Sequence, residues 1–416
     1  MTTSAPPAVA PVTASPYRWV MLALICLGYA SFGMVQSALA PLITPILHDT
    51  GMTRSQMGIV LGSWQFIYLF VAIPAGAIID HFGLRRAIFV GIALIAVSQI
   101  CRALAVNQAT MMLAVMVFGL GGPFVSIGAP KLTATWFDDQ QIGLALGLYT
   151  VSPSIGTMLV TSTANSIVMP LVGGSWRATM VVFAALGVLA AVAWLLFARD
   201  PRSAVTIEAA RGPREIIDSF RRVLRVPLVQ VVLAMAIGVF MFNHTFTNWL
   251  PEMLRARGLS GSAAGFWASV PTLVAVGAAL TIPRYTTARW LTPVLILIFT
   301  LWCTAALLLH SGGGGLEYFA LVLLGIGRGA ATPLLMLTLL RTRSVGPALM
   351  GAAAGLFFTA GEVGGVLGPT LAGVLADATG SFGLGLIVLA LIAATLATAT
   401  LALRAASGPA SEPETT

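Results

Sequence analysis

Charge is scarce in this chain. Only 9% of its 416 residues are Asp, Glu, Lys or Arg, against 58% hydrophobic residues, and that balance excludes a soluble multidomain protein. Lysine is nearly absent, with Lys131 the single example. Three cysteines, Cys26, Cys101 and Cys303, all lie in apolar stretches. They are odd in number and lack metal-ligand spacing, so they read as small packing residues. No His and acid cluster has metal spacing and no nucleophile stands beside a base, which argues against a membrane enzyme and implies neither metal nor cofactor. Ten-residue alternating strands are missing too, which leaves helices rather than a barrel.

What is present is apolar sequence in membrane-length pieces. Twelve spans are expected, at about 18–47, 54–79, 86–106, 109–135, 142–170, 176–198, 227–250, 261–283, 290–310, 316–340, 346–376 and 381–404. The fold class is therefore an all-α membrane protein. Residues 1–17, rich in Pro, Ala and Thr without a basic run, read as a disordered tail, as do 405–416, and the first span serves as the targeting element. With a cytoplasmic N-terminus, most arginines fall inside: Arg18, Arg85, Arg86, those from Arg199 to Arg225, Arg284, Arg289, Arg341, Arg343 and Arg404. Arg54, Arg177, Arg255 and Arg257 fall outside. This asymmetry predicts a multi-pass protein of the cell's inner (plasma) membrane with both termini cytoplasmic. The net charge of +8 is then answered by anionic lipid headgroups and implies no nucleic acid partner.

The polar stretch 199–226 divides the spans into six-helix bundles at 18–198 and 227–404. Its Phe220-Arg221-Arg222-Val223-Leu224-Arg225 run fits either a helix on the inner membrane surface or a solvated linker. The halves repeat. Gly143, Gly147 and Gly156 match Gly351, Gly355 and Gly364, and Gly119-Leu120-Gly121 matches Gly327-Arg328-Gly329, all 208 residues apart. Gly28 and Pro41 pair with Gly238 and Pro251, and Gly51 and Gly58 with Gly258 and Gly265. Parallel six-span repeats mark secondary transporters whose site lies between the halves near mid-depth.

Between the second and third spans stands Gly76-Ala-Ile-Ile-Asp80-His81-Phe82-Gly83-Leu84-Arg85-Arg86, which resembles the signature loop of the major facilitator superfamily. The resemblance implies an alternating-access transporter of two pseudo-symmetric bundles, with Gly76, Asp80, Gly83, Arg85 and Arg86 latching one conformation. The matching loop of the second half, Pro283 to Arg289, lacks the acidic and glycine members. Pro130-Lys131-Leu132-Thr133-Ala134-Thr135-Trp136-Phe137 looks like the fourth-span ending of oxalate/formate and monocarboxylate members. Asn248-Trp249-Leu250-Pro251 is similar to the cyanate and nitroimidazole branch.

The candidate chemistry lies inside the spans. Arg328 sits mid-span between two glycines, too deep for easy snorkelling, and either contacts an anionic substrate or pairs with Glu362. Glu362 is then either a proton-coupling carboxylate or a permanent counter-ion. His244 offers a second coupling group or an anion contact beside Asn243 and Asn248, or else a satisfied interhelical hydrogen bond, and Asn243 shares a helix face with Thr247. Lys131 either snorkels to the surface or adds a second cation on the route to the cavity. Gln36, Trp64, Gln65, Tyr68, Tyr149 and Asn165 are further polar and aromatic candidates that sequence cannot orient. Arg102 reads as an anchor near the outer end of the third span. The expected function is proton-coupled uptake of a small anion, a monocarboxylate or a compact inorganic or heterocyclic anion, by a monomer whose partners are that anion, protons and the lipid bilayer. The alternative is a drug or metabolite exporter of the same fold, which the shortage of acids in the first six spans disfavours.

Overall fold

The computed structural model describes residues 16–406 apart from 139, 201–212, 312, 314 and 343. The tails 1–15 and 407–416 lie outside the described residues, as do Arg202, Arg211 and Arg343. Among the described residues, twelve helices are long and apolar enough to cross a membrane. The first half comprises α1 (Tyr17–Ser37), α2 (Ile43–Thr50), α3 (Arg54–Phe82), α4 (Leu84–Ala103), α5 (Gln108–Trp136), α6 (Ile142–Thr163), a short α7 (Met169–Leu171) and α8 (Trp176–Phe197). After the linker helix α9 (Pro213–Leu224), the second half comprises α10 (Pro227–Arg255), α11 (Gly261–Tyr285), α12 (Ala288–Ser311), α13 (Leu316–Arg341), α14 (Gly346–Thr379) and α15 (Gly383–Ala406). The described part of the linker from Pro213 to Leu224 is thus a helix: Val223 is buried, and Phe220 approaches Gly355 of α14.

Local chemistry sets the helix ends. Thr53 with Gln56 and Asn107 with Thr110 form reciprocal capping boxes that start α3 and α5. Gly51 and Gly380 take left-handed conformations that stop α2 and α14. Arg102 is not a surface anchor. Its guanidinium is buried and donates to Val35 O at 2.5 Å, capping the end of α1 where the first span breaks before α2.

Glycines decide how closely the helices approach. Gly156 of α6 meets the backbone of Ala30 and Met34 on α1, and Gly364 of α14 meets that of Ile237 and Met241 on α10, as the repeat predicts. Gly58 against Pro369 of α14 and Gly265 against Thr161 of α6 form a second matched pair, and these two contacts join the halves. Elsewhere the expected register is corrected. Gly119 packs on α3 and Gly121 on α4, while Gly325 packs on α11 and Gly327 on the Trp302 ring of α12. Spatially, Gly325-Ile326-Gly327 therefore matches Gly119-Leu120-Gly121, and Arg328 matches Gly122 rather than Leu120. Gly28 faces Ile92 of α4 whereas Gly238 faces α15, so that pairing also fails.

Among the described residues the halves meet from one end of the molecule down to mid-depth. At the end away from the termini, Thr44 Oγ1 donates to Glu252 Oε2 at 2.6 Å and Asn165 Nδ2 reaches Pro41 O (2.7 Å) and Gly261 O (3.4 Å). There too Asp377 accepts from the amides of Arg54 (3.2 Å) and Ser55 (2.7 Å). At the end that carries the termini, Gly76, Gly143, Gly147, Gly277 and Gly351 have nothing within 4 Å of a Cβ position. The molecule is closed at its distal end and parted at its terminal end.

Candidate functional site

Arg328 lies halfway along α13. Gly327 and Gly329 on either side press against α12 and α11, so the helix sinks between them and the guanidinium leans toward α10. There Nε donates to Asn243 Oδ1 at 3.2 Å and Nη2 to Thr247 Oγ1 at 2.5 Å. Asn243 and Thr247 are one turn apart, and the Thr247 hydroxyl spends its own proton on Asn243 O (2.8 Å), which turns a lone pair to the arginine. Both partners are neutral. Among the described residues no carboxylate comes within ion-pair distance of Arg328, so the expected alternative of a Glu362 pair is not formed. A small cavity lies beside it between the halves, lined by Thr157 and Thr161 of α6, Thr247 of α10 and Thr272 of α11.

One residue further along α10, His244 turns to the other side. Its Nε2 is 3.9 Å from Glu362 Oε2, and its Nδ1 accepts from Gln65 Nε2 of α3 at 3.3 Å. That bond leaves the ring proton on Nε2, facing the carboxylate. Glu362 Oε2 and Gln65 Oε1 are buried without a hydrogen-bond partner. The rings of Trp64 and Phe240 each stand 5.8 Å from the imidazole. Adjacent positions on a helix point about 100° apart, so α10 serves an uncompensated cation with one residue and an acid–base pair with the next.

Other predicted residues stand elsewhere. Asn248 is buried and donates to His244 O of its own helix at 2.8 Å. Lys131 reaches Asp80 at 2.6 Å, an ion pair that ties α5 to α3 within one half. Tyr149 packs edge-on to Tyr29 at 5.7 Å and takes no part in the guanidinium's hydrogen bonds. Gln36 is half-buried on α1. In the signature loop Gly83 takes φ +86, Arg85 Nη2 donates to Leu195 O at 3.1 Å, Arg86 is exposed, and Gly76 touches nothing across the gap. Sequence reasoning left Gln65 unoriented and passed over Thr157, Thr161 and Thr272. Thr247 carried a signal, its shared face with Asn243, that went unused.

A membrane-embedded bundle of two similar halves with polar groups gathered at mid-depth between them is the geometry of a solute carrier. The chain belongs to the Major Facilitator Superfamily, whose family model matches residues 25–369. It is 24% identical over 396 residues to a hexuronate transporter of Bacillus subtilis (strain 168), covering 87% of this chain and 89% of the relative. Against a D-galactonate transporter of Escherichia coli O6:H1 the identity is 24% over 405 residues, covering 87% and 90%. The fold matches the crystal structure of the nucleoside transporter NupG with a TM-score of 0.74 at 16% identity, over 94% of this chain and 99% of that one. It likewise matches a bacterial homolog of the human lysosomal transporter Spinster, inward-facing and occupied, at 0.74 and 15% identity over 94% and 98%. The protein is a transporter, not an enzyme.

Proposed function

We propose that this chain is a proton-coupled carrier that takes up a hydroxylated monocarboxylate of the sugar-acid kind by alternating access. The observation that carries the reading is Arg328: a cation at mid-depth, held by two neutral acceptors, beside a cavity and without a counter-ion. An unpaired charge at that depth is costly unless a ligand completes it, and a guanidinium fork suits a carboxylate. Hydroxyls of Thr157, Thr161 and Thr272 offer partners for a polyol chain, in keeping with relatives named for hexuronate and D-galactonate. Glu362 and His244 supply the proton-accepting groups next door. With the terminal end cytoplasmic, as the arginine distribution predicts, the closed distal end makes this the inward-facing state.

The test is uptake of radiolabelled D-galactonate and D-glucuronate into proteoliposomes. Arg328→Gln should lower uptake about 100-fold, since each hydrogen bond to a charged group contributes about 1.5–3 kcal/mol. Arg328→Lys should recover only part, lacking the fork. Unchanged uptake and KM in Arg328→Gln would sink the anion-site reading.

A further inference from the structure

We propose that Gln65 is a positioning residue that makes proton binding by the His244–Glu362 pair depend on whether the two halves are together. The inference rests on the proton-coupled reading above and adds how the coupling site senses conformation. Gln65 is eleven residues into α3, about 16 Å from its distal end, and belongs to the half that contributes neither His244 nor Glu362. Its bond to His244 Nδ1 is, among the described residues, a polar link between the halves at mid-depth, whereas those of Thr44, Asp377 and Asn165 lie at the distal end.

The chemistry follows from who donates. While Gln65 Nε2 occupies Nδ1, the imidazole has no free lone pair, so an arriving proton goes to the unpartnered Oε2 of Glu362. Gln65 rides on α3, which is seated on α14 through Gly58 and Gly62. Parting that contact to open the distal end withdraws Gln65 and exposes Nδ1, so the pair then has two places for a proton instead of one. By linkage, protonation in turn biases the halves away from that contact.

The charged and titratable groups around the pair are few. Arg328 of α13 lies on the Asn243 side, and Tyr68 of α3 is bonded to Ser126 at 2.8 Å. The charge of α11, Arg284, sits at the terminal end of that helix. Gln65 is therefore the group whose arrival and departure changes the pair's hydrogen bonding.

Two measurements test this. In proteoliposomes, Gln65→Leu and Gln65→Ala should retain D-galactonate exchange with KM within about twofold but lose at least about tenfold in accumulation driven by a pH gradient, with a flattened pH profile. Wild-type accumulation indifferent to the gradient would remove the proton reading and the inference together; gradient-driven accumulation equal in wild type and Gln65→Leu would remove the inference alone. Independent of any substrate, infrared spectroscopy of purified protein follows the Glu362 carboxylic acid band, identified by its loss in Glu362→Gln. The proton concentration at its midpoint should differ about threefold or more between wild type and Gln65→Leu. An identical midpoint, or a band that never titrates, overturns the proposal.

Discussion

Asn243 and His244 are neighbours in sequence with different tasks. Asn243 and Thr247 hold the Arg328 guanidinium through Nε and Nη2, which fixes where any anion can be met. Removing either acceptor frees the arginine without touching the acid–base pair. Asn243→Ala and Thr247→Val should each raise the KM for the acid about tenfold, at the lower end of a charged hydrogen bond, and leave the pH profile of exchange in place. A changed profile with an unchanged KM would contradict that division of labour. The Asn243–Thr247 face was legible from spacing alone, because residues four apart align on a helix. What faced it was not. Arg328 and Glu362 are the conspicuous intramembrane charges of their half, yet the structure gives the arginine neutral partners and the carboxylate a histidine.

At the scale of helices, the matched glycines are structural where backbone meets backbone. Gly156→Val and Gly364→Val must push α6 off α1 and α14 off α10. Each should cost roughly 1–3 kcal/mol of stability, as overpacking does, read as a lowered Tm in detergent. Gly147→Val, which meets nothing within 4 Å in this state, should leave the Tm unchanged. A loss equal to that of Gly156→Val would mean that the terminal ends are in contact in solution. Sequence symmetry located the Gly156 and Gly364 pair correctly because both sit against a helix of the same rank. It misplaced Arg328 by two residues, because Gly-X-Gly recurs as Gly325-Ile326-Gly327-Arg328-Gly329 and only the packing partners, α11 or α12, tell which glycine is which.

For the molecule as a whole, the distal closure is polar and local. Asp377, near the end of α14, caps the start of α3 through two backbone amides and the Ser55 hydroxyl, where the helix dipole favours an anion. Asp377→Ala should weaken that closure by about 1 kcal/mol, the usual worth of such a cap, and raise the distally open population about fivefold. Spin labels at His48 and Ala256, exposed positions on opposite halves, in a background without Cys26, Cys101 and Cys303 should then show a growing long-distance component. An unaltered distance distribution would show that the Asp377 cap does not hold the distal end.

The number of spans, the division into halves, the signature loop and the presence of a deep arginine followed from sequence, because the bilayer demands long apolar helices and makes each intramembrane charge conspicuous. Only the tertiary structure decided that Arg102 is buried as a cap, that Lys131 is spent on Asp80, that Gln65 crosses to His244, and which end of the molecule is closed. Those outcomes depend on the rotation and tilt of each helix, which are set by close contacts between residues far apart in the chain and leave little mark on local periodicity.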